Sequence, residues 1–492
     1  MNRIGLLAGF VTSAIVSSAH IGSPDVFYDG TAGPYRVHVR VSPPTVVPGV
    51  APVFVRTSET DIDSISIQPV YWRAGAQGAP TGEMMTAVAG QRGSYSGKLW
   101  LMARGSYSVY VSVFGARGNH TATVPLMAQA TTRLGLTRTL AAVLIVLGLL
   151  LVSGLIAIVR AAASDSLVEP THEPDQVARR RGSLAAIIAL PLLILALVGG
   201  ARWWKAEDAL FRRTMYRPFF TTALVTTGPG ANMLRMSVSD TTGMLSAPMM
   251  LDHGKIMHLF LVKESSMSTF VHLHPSREPA GVFVSALPPI ATGRYLVYGD
   301  LVLETGAEYT VTTTVEVPET TIDTTGDPDD SWIEDSFGVP ATAGARAHLT
   351  NNIDLQWDHG DSVVSGRDVD LMFSVRDRKG AVLPIEPYLG MAAHAVVLRE
   401  DASVFIHLHP MGTVSMASQQ AFAQRDRGDT TPAGRLGRVA APPPMAMSVP
   451  AVTIAGVFSF PYAFPRPGRY RVWIQVKLAG KVRTATYEVD VG

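Results

Sequence analysis

The sequence predicts a mainly β protein: three β-sandwich domains with a two-helix transmembrane anchor between the first and the second. Three observations carry that prediction. Alternating Val/Thr/Tyr runs punctuated by Gly and Pro fill most of the chain, which contains 44 glycines and 33 prolines. Two uninterrupted apolar stretches lie near its middle. A histidine-bearing segment occurs twice, at residues 258–275 and 394–410.

Composition narrows the chemistry before any motif is read. At 492 residues the chain is too long for one core, so several domains are expected. The balance of 41 basic and 40 acidic residues gives a formal net charge of +1, which argues against nucleic acid as a partner. Cysteine is absent, which excludes disulfides, thiolate metal sites and Cys nucleophiles. A metal site in this chain must use His, Met, carboxylate or backbone ligands.

Taken in order, residues 1–19 read as a secretory signal peptide, with Arg3, an apolar stretch over 4–16 and Ser17-Ser18-Ala19 as the cleavage region. An uncleaved anchor is the alternative, disfavoured because the stretch is short for a bilayer span. Cleavage after Ala19 makes His20 the mature N-terminus. Its α-amino group and imidazole are then candidate ligands for one metal, with His38 or His120 as a third. Residues 20–130 alternate cleanly at 35–41 and 105–113 and form the first sandwich. Residues 139–160 and 183–202 are the two membrane spans, the second tolerating Pro191. The 161–182 connection, with Arg179, Arg180 and Arg181, is placed on the cytoplasmic side. An even number of spans leaves both the N-terminal and the C-terminal domains outside the cytoplasm. Residues 215–318 and 345–492 form the second and third sandwiches, joined by an acidic linker at 319–344. These two also share Gly293-Arg-Tyr-Leu-Val-Tyr298 and Gly468-Arg-Tyr-Arg-Val-Trp473. The third contains an insertion at 411–451, read as a loop covering one face.

The repeated segment reads as a histidine, a short strand, a turn and Phe-x-His-x-His-Pro. Alternate residues of a strand share a face, so His272 and His274 point together, as do His407 and His409. A turn around Ser266 places His258 opposite His274, and a turn between Asp401 and Ala402 places His394 opposite His409. Three imidazoles therefore converge at the open end of each hairpin. Phe260 and Phe270, or Val396 and Phe405, continue the same face. Such clusters suit copper, zinc or nickel. Nearby methionines, including Met249, Met250, Met257, Met267, Met391 and Met411, tilt the choice to copper over zinc, with Met244, Met445 and Met447 in the same reading. The plain alternative is histidines that only brace the hairpins. Pro275 and Pro410 end their strands.

The first domain, with Gly22-Ser-Pro-Asp-Val, Gly33-Pro-Tyr-Arg-Val and Pro43-Pro-Thr-Val-Val-Pro-Gly49, resembles the YtkA-like/FixH-like family. Tyr388-Leu-Gly-Met-Ala-Ala-His394 and the hairpin after it look like relatives of that family. The resemblance implies immunoglobulin-like or cupredoxin-like sandwiches in a bacterial inner (cytoplasmic) membrane protein facing the periplasm. It also implies association with copper handling or with a cytochrome oxidase assembly component. The N-terminal histidine of copper-resistance CopC-like sandwiches is similar to His20 by analogy alone.

Two functions follow from these readings. One is a membrane-anchored metal-binding protein, acting as copper chaperone, buffer or sensor. The other is a noncatalytic structural or protein-interaction module of the cell envelope. An enzyme is not expected, because the chain has no G-x-S-x-G elbow, P-loop or His-Glu-x-x-His. Solute transport is not expected from two helices without intramembrane charge.

Overall fold

The structure is a computed structural model that describes residues 20–21, 25–166, 168–169, 172–228, 232–240, 248–319, 326–334, 340–358, 362–428, 436 and 453–492. The predicted signal peptide, Gly22 to Pro24, and Met244, Met445 and Met447 lie outside the described residues. Two compact units result: residues 1–128 with 218–492, and residues 129–217.

The smaller unit is a pair of helices. Helix α1 (Arg138–Asp165) starts on Thr137, whose side chain caps the Leu140 amide, and helix α2 (Gln176–Arg213) starts on Asp175, which caps Ala178. Both are long and apolar enough to cross a membrane, and side chains such as Leu150 of α1 and Leu195 of α2 are about two-thirds exposed, at 64% and 67%. Each helix runs beyond the predicted span, so the connection expected at 161–182 shortens to the few residues between Asp165 and Gln176. Polar turns such as Arg179-Arg180-Arg181 are good helix formers, and the helix continues through them.

In the larger unit each predicted β-domain is a pair of sheets around an apolar core. The first pairs a five-stranded sheet, including Tyr35–Val41 and Ser94–Leu101, with a four-stranded sheet built on Ile62–Tyr71, Gly105–Gly115 and His120–Ala128. The second places Phe220–Thr227, Asn232–Ser239, Val282–Ala286 and Ser276–Glu278 over a six-stranded sheet. That larger sheet runs Met249–Met250, Gly293–Leu303, His258–Lys263, Thr269–Leu273, Ser331–Glu334, with Glu308–Val317 also pairing Gly293–Leu303. In the third, the six-stranded sheet places Val404–Leu408, His394–Arg399, Gly468–Leu478 and Lys481–Val491 side by side. Its four-stranded partner contains Ile353–Trp357, Val369–Asp377 and Val457–Tyr462.

Two segments differ from expectation. The acidic stretch read as a linker contains two strands: Ser331–Glu334 adds to Thr269–Leu273 with Phe270 opposite Ile333, and Ala341–Thr342 pairs in parallel with Lys481–Val491. The insertion after Met411 is not simply a loop: it contains helix α3 (Met416–Asp426), capped by Ser415. Ala417, Ala421 and Phe422 of α3 pack with Trp72 of the first domain and with Met250 and Val302 of the second. Small residues at i and i+4 let the helix lie close to its neighbours, and Phe422 meets Trp72 edge-on at 5.0 Å.

The turn before α3 ties the first domain to the third. Thr413 donates its amide to the Phe27 carbonyl at 3.0 Å, Asp29 donates to the Met411 carbonyl at 2.9 Å, and Gly412 bridges Tyr28. Gly412 has φ +111°, and a Cβ there would overlap the Phe27 carbonyl. Gly412→Ala is therefore expected to lower stability by about 1–3 kcal/mol. Thermal melting of the full chain, with proteolysis mapping of the first domain, checks this; an unchanged profile would count against the contact.

Candidate metal centre

Side-chain parity decides where each hairpin residue goes. In the second domain Leu259, Leu261, Val271 and Leu273 fill the domain's own core. Their alternates, Phe260, Val262 and Phe270, face the other way and join a separate cluster with Val396, Leu398, Phe405 and Trp473 of the third domain. Ala395, Val397 and Leu408 fill the third domain's core in the same manner. The two hairpins thus cover each other's outer faces. That is why strands such as Thr269–Leu273 are buried on both sides.

The contact is reciprocal. Phe405 stacks on Tyr298 at 3.9 Å and 3°, and Phe270 stacks on Trp473 at 4.8 Å and 14°. Tyr298 and Trp473 are the final residues of the shared Gly-Arg-Tyr motif. Equivalent residues meeting equivalent residues defines a pseudo-two-fold arrangement. Near its centre His258 lies over His394, with ring centroids 6.3 Å apart at 26°.

Register agrees with the sequence reading. The pairs Leu259↔Leu273 and Ala395↔Leu408 extend to His258 beside His274 and His394 beside His409. All six predicted hairpin histidines are buried at the interface between the domains. His20 is described through its backbone, which pairs with Val404 in a short parallel bridge. His38 lies in the strand Tyr35–Val41 opposite Asp29, and His120 hydrogen-bonds toward the Arg117 carbonyl, so both belong to the first domain's sheets.

A seventh histidine joins the cluster. His253 occupies the turn Asp252–Lys255, whose central residues His253 and Gly254 have φ +53° and +81°. Two consecutive positive φ values are the mark of a type I′ turn. The third domain repeats it at Tyr388–Met391, with Leu389 at +51° and Gly390 at +81°. Aligning Asp-His-Gly-Lys-Ile-Met-His258 with Tyr-Leu-Gly-Met-Ala-Ala-His394 shows the same spacing to the hairpin histidine. The sequence signal was the shared glycine six-residue window, and His253 stood in it.

Ligand nitrogens converge in two triads. Those of His258, His272 and His274 lie within 4.8 Å of one another, as do those of His253, His394 and His409. His407 lies between them, its ring 5.2 Å from His258 and 5.4 Å from His394.

Neighbouring groups hold several rings by one nitrogen. The Asp330 carboxylate accepts from His274 Nδ1 at 2.9 Å and from the His274 amide at 2.8 Å. His272 Nδ1 meets Gln475 Oε1 at 2.8 Å and the Tyr388 hydroxyl at 3.2 Å, both from the third domain. His407 Nδ1 faces Asp300 of the second domain at 3.4 Å. Asp300 and Gln475 are the register partners of His258 and His394, so each domain's closing strand reaches across to the other's hairpin. Nε2 of His258, His274 and His407, and both ring nitrogens of His394, are buried without a hydrogen-bond partner.

Burial and mutual repulsion favour the neutral form of five of the imidazoles. The pKa values of His258, His272, His394 and His409 are held well below the usual histidine value, first by desolvation and then by the neighbouring imidazoles. His253 is lowered by desolvation as well, against a raising effect from Asp252. A third convergence, His274 with Asp327 and Asp330, is a weaker ion site. The Lys255 ammonium already lies 2.5 Å from Asp327, and both Lys255 and Lys477 pair with Asp329. That acidic turn supports His274 and already has its cations.

Four of the described methionines pack in apolar clusters rather than beside the imidazoles. Met249 and Met257 belong to the second domain's core, Met250 faces α3, and Met267 packs among the interface aromatics. Thioethers are good fillers of apolar gaps, and here they are used as such.

Residues 347–492 match a family model described as "Domain of unknown function (DUF8832)". No curated protein matches the chain. Among solved structures, a tetra-tandem repeat from the extending region of a large adhesion protein is 9% identical, covering 95% of this chain and 74% of that one, with TM-score 0.15. A Salmonella alpha-2-macroglobulin is 8% identical, covering 99% of this chain and 24% of that one, with TM-score 0.20. Titin domains I67–I69 are 7% identical, covering 90% and 92%, with TM-score 0.15. At these scores the likenesses carry no functional argument.

Proposed function

We propose that this is a membrane-anchored extracytoplasmic metal-binding protein that handles copper through the histidine cluster between its second and third domains, with zinc as the alternative ion. One observation carries the reading: buried imidazoles turn nitrogens toward one another, most of these nitrogens without a hydrogen-bond partner, while His258 Nδ1 and His272 Nε2 meet at 3.1 Å. A buried polar atom without a partner costs about 1–3 kcal/mol, and several in one place weigh heavily against a total stability of about 5–15 kcal/mol. Coordination satisfies them together. Neutral imidazole is the ligand form, and Cu(II) stands highest among divalent first-row ions for nitrogen donors. The supporting groups fit the same chemistry, since a metal-bound histidine ordinarily donates its other N–H to a carboxylate or carbonyl, as His274 does to Asp330.

The anchor reading rests on α1 and α2, whose apolar side chains need a nonaqueous solvent. The first domain lies in one compact unit with the second and third, although both helices intervene in sequence. Two crossings return the chain to the side it left, which fits that unit, and the Arg179-Arg180-Arg181 connection favours the periplasmic side of a bacterial inner membrane for it. Immunoglobulin-like or cupredoxin-like domains of the YtkA-like/FixH-like kind suit this role, with an envelope protein such as an oxidase assembly component as partner. Burial of the cluster favours retention over rapid hand-over, so buffer or sensor fits better than chaperone.

The test is metal uptake by the purified full chain. Wild type is expected to retain stoichiometric copper or zinc after desalting, and the His272→Ala/His274→Ala variant to retain less. If neither ion is retained at micromolar concentration and the variant only melts earlier, the histidines are structural and the protein is an interaction module.

A further inference from the structure

We infer that the cluster is a two-ion centre, one ion held by His258, His272 and His274 and the other by His253, His394 and His409, so that the second set is complete only when the two domains are docked. This deepens the metal reading above and rests on it. The hairpin repeat by itself would give two identical sets, each made of one domain's own three histidines. The observed second triad departs from that. It takes His253 from the second domain, while its own domain's His407 stands aside with Nδ1 toward Asp300.

Three features argue that His253 is there for a ligand. The turn does not require an imidazole, because Leu389 adopts the same left-handed geometry at the equivalent position, φ +51° against +53°. The His253 side chain is fully buried, at 0% exposure, and is aimed at the partner domain's histidines. Its ring lies 5.2 Å from His394 and 5.1 Å from His409, closer than to His258 at 6.0 Å. The left-handed backbone accepts histidine readily, so the cost lies in burying the imidazole at a position where the other domain uses leucine.

His407 completes the picture. Its unpartnered Nε2 and its place between the triads make it a fourth donor for either ion. The two sets also differ in their supports. Asp330 and Gln475 hold His274 and His272 of the first, whereas Asp252 is shared, 3.8 Å from His253 of the second set and 3.8 Å from His258 of the first, and also accepts the Ala417 amide of α3 at 3.0 Å. Outer carboxylates tune ligand basicity, so the two ions bind with unequal affinity. Borderline ions that accept three or four imidazoles, copper and zinc, are the ligand class.

The test is the metal content of the full chain in detergent, stripped with chelator, reloaded with Cu(II) or Zn(II) and desalted, read by elemental analysis and native mass spectrometry. His253→Leu copies the Leu389 turn and is expected to keep the melting temperature of the metal-free wild type. It should lose one equivalent. His272→Ala should lose a different one, and the double variant two. Loss of no metal in His253→Leu, or a double variant that loses no more than His272→Ala alone, overturns the two-ion inference and leaves a single metal site standing. No uptake by the wild type overturns the metal reading itself.

Discussion

Phe405→Ala is expected to lower the stability of the larger unit by about 3–5 kcal/mol, the usual cost of truncating a fully buried Phe. The effect is large because this ring belongs to neither domain's own core. It lies flat on Tyr298 at 3.9 Å and also meets Phe260 at 5.6 Å, so its removal opens the seam between two domains. Phe270→Ala should do the same from the other side, because Phe270 stacks on Trp473 in the equivalent place. The seam continues directly into the histidines: Phe260 stacks on His272 at 4.3 Å and meets His407 at 5.0 Å. Loosening it should therefore weaken metal retention as well as stability. Urea denaturation of the full chain, followed by tryptophan fluorescence and paired with metal analysis, measures both. A loss under about 1 kcal/mol would mean that the two hairpins do not hold each other.

What the sequence could reveal is set by which contacts are local. Hairpin register follows from turn position and two-residue periodicity, so the pairing of His258 with the His274 end and of His394 with the His409 end was legible. So was the apolar face beside them. Its destination was not, because nothing in Phe260 or Phe405 states that each needs the other domain as its cover. The Gly-Arg-Tyr repeat marked Tyr298 and Trp473 as equivalent, yet their stacking on the opposite hairpin is a tertiary fact. From the sequence His253 stands only as a histidine close to the first hairpin, outside the predicted ligand set. Its meaning emerges only when the turn is folded against the third domain. The strand Ser331–Glu334 hid among acidic residues that turned out to brace His274. Helix α3 was missed for a related reason: its Ala/Gln/Arg sequence has little apolar periodicity, and its burial comes from a three-domain junction.

Metal-free protein should lose stability on acidification, most steeply below about pH 6.5, the ordinary histidine pKa. The sign follows from linkage. His258, His272, His394 and His409 have folded-state pKa values well below that value, so the unfolded chain binds more protons than the folded one as pH falls. Their contribution is fully present above the unfolded pKa and drains away as the pH drops through the window beneath it. Glu308 acts in the opposite direction. Burial raises its carboxyl to about 7 while Ser415 of the α3 cap donates to it through both amide and hydroxyl at 2.8 Å. Its contribution is greatest below the ordinary glutamate value of 4.5 and is lost as pH rises through about 7. One carboxyl opposes these four imidazoles and His253, which is lowered as well, so the net change between about pH 7.5 and 5.5 is destabilising. Bound metal should move the whole curve to higher stability at neutral pH, by about 2.7 kcal/mol when free ion stands at one hundred times its dissociation constant, and make the acid side steeper because protons then compete with the ion. Glu308→Gln should steepen the metal-free profile further by removing the opposing group. Melting temperatures taken every half pH unit, with and without Cu(II) or Zn(II), decide the matter: a metal-free profile that is flat or rises toward pH 5.5 would show that the buried imidazoles are not the neutral, mutually repelling set from which the metal centre is built.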